Sequence, residues 1–210
     1  MSLIVTSQPI AEPVSVDEVK ARLRLTTTDD DGTITRNIVA AREFAEKITR
    51  RSLVPKGYTA SLDRFPWPHD PIRLPAPPLI QVQSILYMDE TMTQQTWSPS
   101  EYWVAQKQDP ALISPRPGMI YPSTARVYGA VEINFTAGYG AAPFAAIPAG
   151  ANPAVPAIPG TPICFEHILE GVRQLAAHIY SHPEVITSEG MQEIPVAMMT
   201  FFTMNKVYVF

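Results

Sequence analysis

A single cysteine, Cys164, is all the thiol chemistry this chain carries. That excludes an intramolecular disulfide and leaves a thiolate metal cluster short of ligands. Positive charge is also scarce: 16 Lys and Arg against 20 Asp and Glu give a net charge of −4 and a pI near 5.6. A nucleic-acid binder of the usual kind shows a basic face, so this balance argues against one. No apolar run is long enough for a membrane helix. Residues 133–165 carry no formal charge, but prolines and glycines interrupt them throughout. Met1-Ser2-Leu3-Ile4-Val5 lacks a basic start and the segment breaks at Pro9, so no signal peptide is expected and a soluble intracellular protein is. There is no glycine-rich phosphate loop, and no serine in a nucleophile-elbow context.

Proline, by contrast, is abundant. The 22 prolines in 210 residues are about twice the usual ~5% and favour short strands, stiff loops and extended arms. At 46% apolar residues the chain is long enough to bury a sizeable core as one domain, 1–210. Its organising stretch is V-E-I-N-F-T-A-G-Y-G, residues 131–140. Val131, Ile133 and Phe135 alternate with Glu132 and Asn134, the period of a half-buried strand, and Gly138 and Gly140 then permit a tight turn.

Taken in order, residues 3–13 read as an extended arm. Ser15 is an N-cap and Glu18 completes a capping box, with Val14 and Val19 placed as a hydrophobic staple, so a short helix runs to about Leu25. Asp29, Asp30 and Asp31 lack the alternating spacing of a calcium loop and stand where negative charge favours a helix N-terminus. The second helix, 33–51, places Ile34, Ile38, Ala41, Ala45 and Ile48 on one stripe. On its outer face Glu43–Lys47 and Glu46–Arg50 are spaced as ion pairs, and Arg50-Arg51 form a basic C-terminus rather than a phosphate site. Residues 54–140 are β-rich: short strands of meander type, with Val82, Ser84, Leu86 and Met88 on one face of the longest and prolines blunting the edges. Residues 141–161 form a Pro/Ala-rich extended arm. A third helix, 162–181, starts at Pro162 and carries Phe165, Ile168, Val172, Leu175 and Ile179 as its stripe. A short C-terminal helix starts at Pro195. The expected class is α+β.

Two constellations invite chemistry. His178 and His182 are four apart on one helix, the spacing of two metal ligands, which makes a metal-dependent hydrolase an alternative reading. No H-E-x-x-H pattern accompanies them, and Cys164-x-x-His167 is equally thin, so neither an enzyme, a metal nor a cofactor is expected. What remains is surface for other proteins. The tail, 191–210, is rich in methionine and aromatics, which suits an adaptable apolar interface. Met198, Met199, Phe201, Phe202, Tyr208 and Phe210 are its candidate contacts.

In their order these elements resemble the head–tail connector (adaptor) proteins of long-tailed bacteriophages and prophages. The resemblance runs through the helix after Pro13, the Asp-rich turn and the helix ending at Arg51. It continues through Phe65-Pro66, Ile72-Arg73-Leu74-Pro75 with Pro77-Pro78, Val82 to Asp89, Tyr102, the F-T-A-G-Y-G run, His178-x-Tyr180 and Pro195. It implies a small helical core with an inserted antiparallel β subdomain. It further implies a homo-oligomeric ring, dodecameric in the family, between portal and tail at the capsid vertex of the virion, assembled in the bacterial host cytoplasm. The implied partners are other copies of the chain, the portal protein, and a tail-completion or stopper protein. DNA would pass through the channel without sequence-specific binding, and a lumen that must release DNA suits an acidic chain. Another neck or tail-completion protein is the nearest alternative. The long Pro/Ala arm departs from the family pattern. Phe144, Ile147, Val155 and Ile158 are its candidate contacts with a neighbouring subunit.

Overall fold

The structure is a computed structural model, and the residues it describes are 1–68, 70–139, 164–182, 195–204 and 206–207. The Pro/Ala arm with Phe144, Ile147, Val155 and Ile158 therefore lies outside the described residues, as do Tyr208 and Phe210. The fold is α+β and separates into two compact units. One comprises Met1–Pro9 and Pro55–Gly138; the other comprises Ile10–Val54 with the described residues from Tyr139 onward.

The first unit holds two antiparallel sheets. The larger is built from β1 (Ser2–Ser7), β2 (Lys56–Leu62), β4 (Leu79–Met88), β5 (Gln94–Thr96) and β8 (Val131–Ala137), in the order β1-β2-β8-β4-β5. The smaller is β3 (Ile72–Arg73), β7 (Leu112–Pro115) and β6 (Tyr102–Ala105), in the order β3-β7-β6. The expected alternation of β8 is present: Val131, Ile133, Phe135 and Ala137 are buried, while Glu132 is exposed. Sequence-adjacent pairing holds for β1–β2, β4–β5 and β6–β7, but not throughout. β8 sits at the centre between β2 and β4, so the unit is not a meander.

The face of β4 also differs from strict alternation. Register shifts between Leu79 and Gln81 and between Val82 and Ser84 set Leu79, Val82 and Ile85 opposite Ala137, Phe135 and Ile133. Two bulges thus turn a period of two into a period of three and bring Ile85, not Leu86, into the core. Stacked Tyr58 and Phe135 continue this layer, and Phe65 packs against Trp97, Tyr87 and Tyr121 with ring centroids 5.2 to 5.9 Å apart.

Residues 2–7 are not a free arm but the edge strand of the larger sheet. β1 pairs with β2 from Ser2↔Ser61 to Ser7↔Gly57. The close approach requires glycine at position 57: a Cβ there would lie 2.7 Å from Ser7 Oγ and 3.0 Å from Thr6 Oγ1. The Gly57 N–H donates to the same Ser7 hydroxyl at 2.8 Å. Gly57→Val is therefore expected to detach β1, seen as faster proteolysis within residues 1–9 while the rest of the unit keeps its resistance. Unchanged cleavage would refute the contact.

The β4–β5 turn is organised by one carboxylate. Asp89 accepts from the amides of Thr91 and Thr93 at 2.9 and 3.0 Å, from the Thr91 hydroxyl at 2.6 Å, and from Gln95 at 3.0 Å. The Thr91 hydroxyl and the Thr93 amide are the main reasons that its pKa falls to about 2 from an ordinary 3.8. A depressed carboxylate pKa means stability that is present above the ordinary value and disappears as pH falls through the lowered one. The hairpin tip should stay ordered at pH 3 and loosen only near pH 2. A side-chain carboxyl titration of Asp89 with a midpoint near 4 would contradict this.

The second unit is helical: α1 (Val16–Leu23), α2 (Asp31–Thr49), α3 (Glu166–Ser181) and α4 (Val196–Thr203). The capping box is formed, with Glu18 N donating to Ser15 Oγ at 3.1 Å and Ser15 N donating to Glu18 Oε2 at 2.8 Å. Ile34, Ile38, Ala41 and Ala45 of α2 meet Ile168, Val172, Leu175 and Ile179 of α3 in one core. Phe165 does not join this stripe as a helical residue; it is the N-cap of α3 and stays partly exposed.

The outer charges of α2 pair differently from the helical-spacing expectation. Glu46 turns back to Arg42, at 2.9 Å from Nη1, and also accepts from Leu53 N at 2.9 Å. Arg50 instead closes the helix in the left-handed region at φ 56°. Two of the three aspartates at the start of α2 are likewise occupied. Lys20 donates to Asp31 at 2.8 Å, and the Tyr180 hydroxyl donates to Asp30 at 2.7 Å. They fasten α1 and α3 to the start of α2.

Candidate interaction surface

The two constellations with catalytic spacing come to little. His178 and His182 do lie together at the end of α3, with ring centroids 4.6 Å apart. His178 Nε2 is buried and without a hydrogen-bond partner. Yet the described residues contain no group of three His, Cys, Asp or Glu side chains able to hold a metal ion. The Cys164 thiol is buried, and that burial pushes its pKa up to about 12. A thiol so protonated is a poor nucleophile at neutral pH. Native protein at pH 8 should leave Cys164 unmodified by a thiol reagent over hours and release it only on unfolding. Rapid labelling of folded protein would contradict that burial.

The charged side chains of the helical unit are also structural. Arg173 of α3 reaches Glu18 at 3.0 Å, Glu166 at 2.7 Å and Glu170 at 3.3 Å, and Arg22 of α1 reaches Glu170 at 2.7 Å. This lattice joins α1 to α3. Arg42 is enclosed by Glu12, Glu46 and Glu43 in the same way on α2.

The tail residues divide. Met198, Met199 and Phe201 of α4 are half-buried, and Met204 beyond the helix is exposed. Phe202 is fully buried, packed on α3 at Gly171 and edge-on to Phe44 at 6.2 Å. It is a core side chain and leaves the list of candidate contacts. Periodicity could not separate it from its neighbours, because the tail is apolar almost all round.

The exposed apolar groups that sequence reading missed lie in the β unit. Trp67 is 77% exposed, Trp103 65%, Ile120 75% and Tyr128 95%. Aromatic residues, with arginine, are the side chains that dominate protein interfaces. Two open clefts share Arg64: one of about 370 Å³ is lined by residues 62 and 64–68, and one of about 800 Å³ by residues 63–64 and 124–128. Neither concentrates nucleophiles or histidines among the described residues. All six residues of β1 are exposed too, and the uncharged run Ser2-Leu3-Ile4-Val5-Thr6-Ser7 is the signal that could have marked it as a strand. The described surface thus carries exposed aromatic groups of the kind that protein contacts use.

Residues 13–98 match the family model of the Phage gp6-like head-tail connector protein. The resemblance drawn from the order of sequence elements is borne out by that match. Among solved structures, the chain is similar to one from the neck of an empty gene transfer agent (GTA) particle computed with C6 symmetry. The TM-score is 0.72 at 22% identity, with 100% of this chain and 98% of that chain covered. Comparable likenesses are found in the virion of the native GTA particle, at TM-score 0.71, and in its neck computed with C12 symmetry, at 0.68, both at 22% identity. No curated protein matches. The described fold is therefore the one these neck chains share. No helix among the described residues is long and apolar enough to cross a membrane.

Proposed function

We propose, from the premise that residues 13–98 are a segment of the Phage gp6-like head-tail connector family, that this chain is a structural neck protein of a phage-like particle. It forms a ring between portal and tail at the capsid vertex, extends the DNA channel and joins head to tail. The observation that carries this reading is the family match across α1, α2 and β2 through β5, joined by a fold shared with particle neck chains. Ring assembly is consistent with necks reconstructed under C6 and C12 symmetry. Identical copies in a ring meet through two different surfaces, one on each side of every subunit. Exposed Trp67, Trp103 and Tyr128 and half-buried Met198, Met199 and Phe201 are the groups offered for such contacts. The Pro/Ala arm, with Phe144, Ile147, Val155 and Ile158, reaches a neighbouring subunit; its deletion over residues 145–159 should abolish assembly.

The role is mechanical, without a catalytic step. Removing the gene from the phage or prophage that encodes it should give filled or empty capsids and free tails that never join, seen by electron microscopy of lysates. Joined, infectious particles from the deletion would defeat the proposal. The hydrolase alternative is not favoured, since His178 and His182 lack a third ligand among the described residues.

A further inference from the structure

We infer that the cleft holding Arg64, Arg126 and Tyr128 receives the β4–β5 hairpin tip, Asp89 to Met92, of a second copy of this chain. The inference rests on the ring reading above. The cleft, of about 800 Å³, is lined by residues 63–64 and 124–128. Arg64 and Arg126 are both exposed, and neither has a hydrogen bond or an ion pair among the described residues. Arg22, Arg42 and Arg173 of the helical unit are, by contrast, all paired. The one carboxylate of the lining, Asp63, is engaged by the Gly129 amide at 2.9 Å. Tyr128, in the same lining, is 95% exposed. Arginine and tyrosine are typical interface anchors, and the guanidinium fork matches a carboxylate.

The hairpin tip is the complement of this cleft. Asp89 and Glu90 are adjacent carboxylates with no cation in ion-pair range among the described residues. The partners of Asp89 are two amides, the Thr91 hydroxyl and Gln95, all neutral, so it keeps its negative charge. Met92 follows, 56% exposed and at φ 64°, where glycine or asparagine would cost less. A bulky exposed side chain held in left-handed backbone points to a use for the side chain itself. Its thioether suits packing on the ring of Tyr128.

Topology favours a second copy as the source of the tip. Arg64 follows β2, on one side of the central β8, whereas the tip joins β4 to β5 on the other side. Leu62 and Tyr87 both pair with Val131, so cleft and tip stand at the same end of the sheet. A closed ring joins two different surfaces from different sides of each subunit. These two surfaces match in charge, and every copy carries both. An acidic segment of another protein would fill the cleft but leave the tip unmatched. DNA is a poorer occupant, because two arginines on a chain of net charge −4 neutralise few phosphates.

Charge reversal in the phage or prophage that encodes the chain is the test. Glu90→Arg, and at least one of Arg64→Glu and Arg126→Glu, should lower the amount of chain in purified necks at least about tenfold. The melting temperature of the free chain should not change. Glu90→Arg combined with Arg64→Glu or with Arg126→Glu should restore most of the loss in at least one of the two pairs. Undiminished incorporation of Glu90→Arg would overturn the inference. So would recovery in neither pair, which would give the cleft to another virion protein or to DNA. Should a reversal impair folding, Tyr128 replaced by p-benzoylphenylalanine and irradiated in assembled particles reads the same contact. It should give an adduct of twice the 23.2 kDa chain mass that joins position 128 to the peptide holding residues 89–92. An adduct to another protein, or none, would overturn the inference and leave the ring reading standing. Absence of the unaltered chain from necks would overturn both.

Discussion

Replacing Arg42 by alanine is expected to destabilise the helical unit by about 3–5 kcal/mol, the range for removing one partner of a buried ion pair. The guanidinium is 2% exposed. Its Nε donates to Glu12 at 2.6 Å and its Nη1 to Glu46 at 2.9 Å, with Glu43 at 3.6 Å from Nη2. Burial opposes the charge, but the hydrogen bond and charge of Glu12, with Glu46 and Glu43, outweigh it and hold its pKa above the ordinary value. Alanine would remove the buried cation that Glu12 and Glu46 share. Glu46 cannot simply swing to solvent, because it also accepts from the Leu53 amide at 2.9 Å. The segment before α1 is tied to α2 through Glu12, so its release should accompany the loss. Urea unfolding of Arg42→Ala measures the effect. The triple variant Arg42→Met, Glu12→Gln, Glu46→Gln should recover part of it, because no unpaired charge remains. A loss below about 1 kcal/mol would refute the assignment of Arg42 as the clasp of this unit.

Nearly as large an effect is expected where α4 crosses α3. Gly171 has no side chain, and Phe202 fills the space: a Cβ at 171 would lie 2.8 Å from Phe202 Cε1 and 3.0 Å from Phe201 Cβ. In an exposed helix interior, Gly→Ala gains about 1 kcal/mol. Here Gly171→Ala should destabilise instead, since the Cβ of Phe201 belongs to a helix and cannot move alone. Phe202→Ala should cost about 3–5 kcal/mol, the range for truncating a fully buried phenylalanine. The pair should also couple. Gly171→Ala combined with Phe202→Leu should be less harmful than the two single changes added together. Denaturant midpoints of the four proteins test this, and strict additivity would mean that the two side chains do not share the slot.

What the sequence disclosed and what it hid follow one physical line. Signals confined to a few neighbouring residues were legible. The Ser15–Glu18 box, the α2 stripe and the alternation of β8 all depend on contacts within one turn or one strand, and all are found. Features set by partners far along the chain were not. β1 reads as an arm because its partner, β2, lies more than fifty residues on. The β4 face depends on two bulges that alternation alone does not reveal. Glu46 reads as a partner of Arg50, four residues on, whereas the structure brings it to Arg42, four residues back. Phe202 reads as interface until Gly171 supplies its slot. The candidate surface was legible only in kind. Its apolar character showed in composition, whereas the exposure of Trp67, Trp103, Tyr128 and β1 needed the fold.

The most direct measurement is a cryo-electron microscopy reconstruction of the head–tail junction of particles carrying this protein, computed without imposed symmetry. The account predicts that the chain, recognised by its α2–α3 core and its five-stranded sheet, repeats as a closed ring between portal and tail around the DNA path. Its presence instead in the capsid shell or the tail tube, or its absence from the junction, would contradict the account.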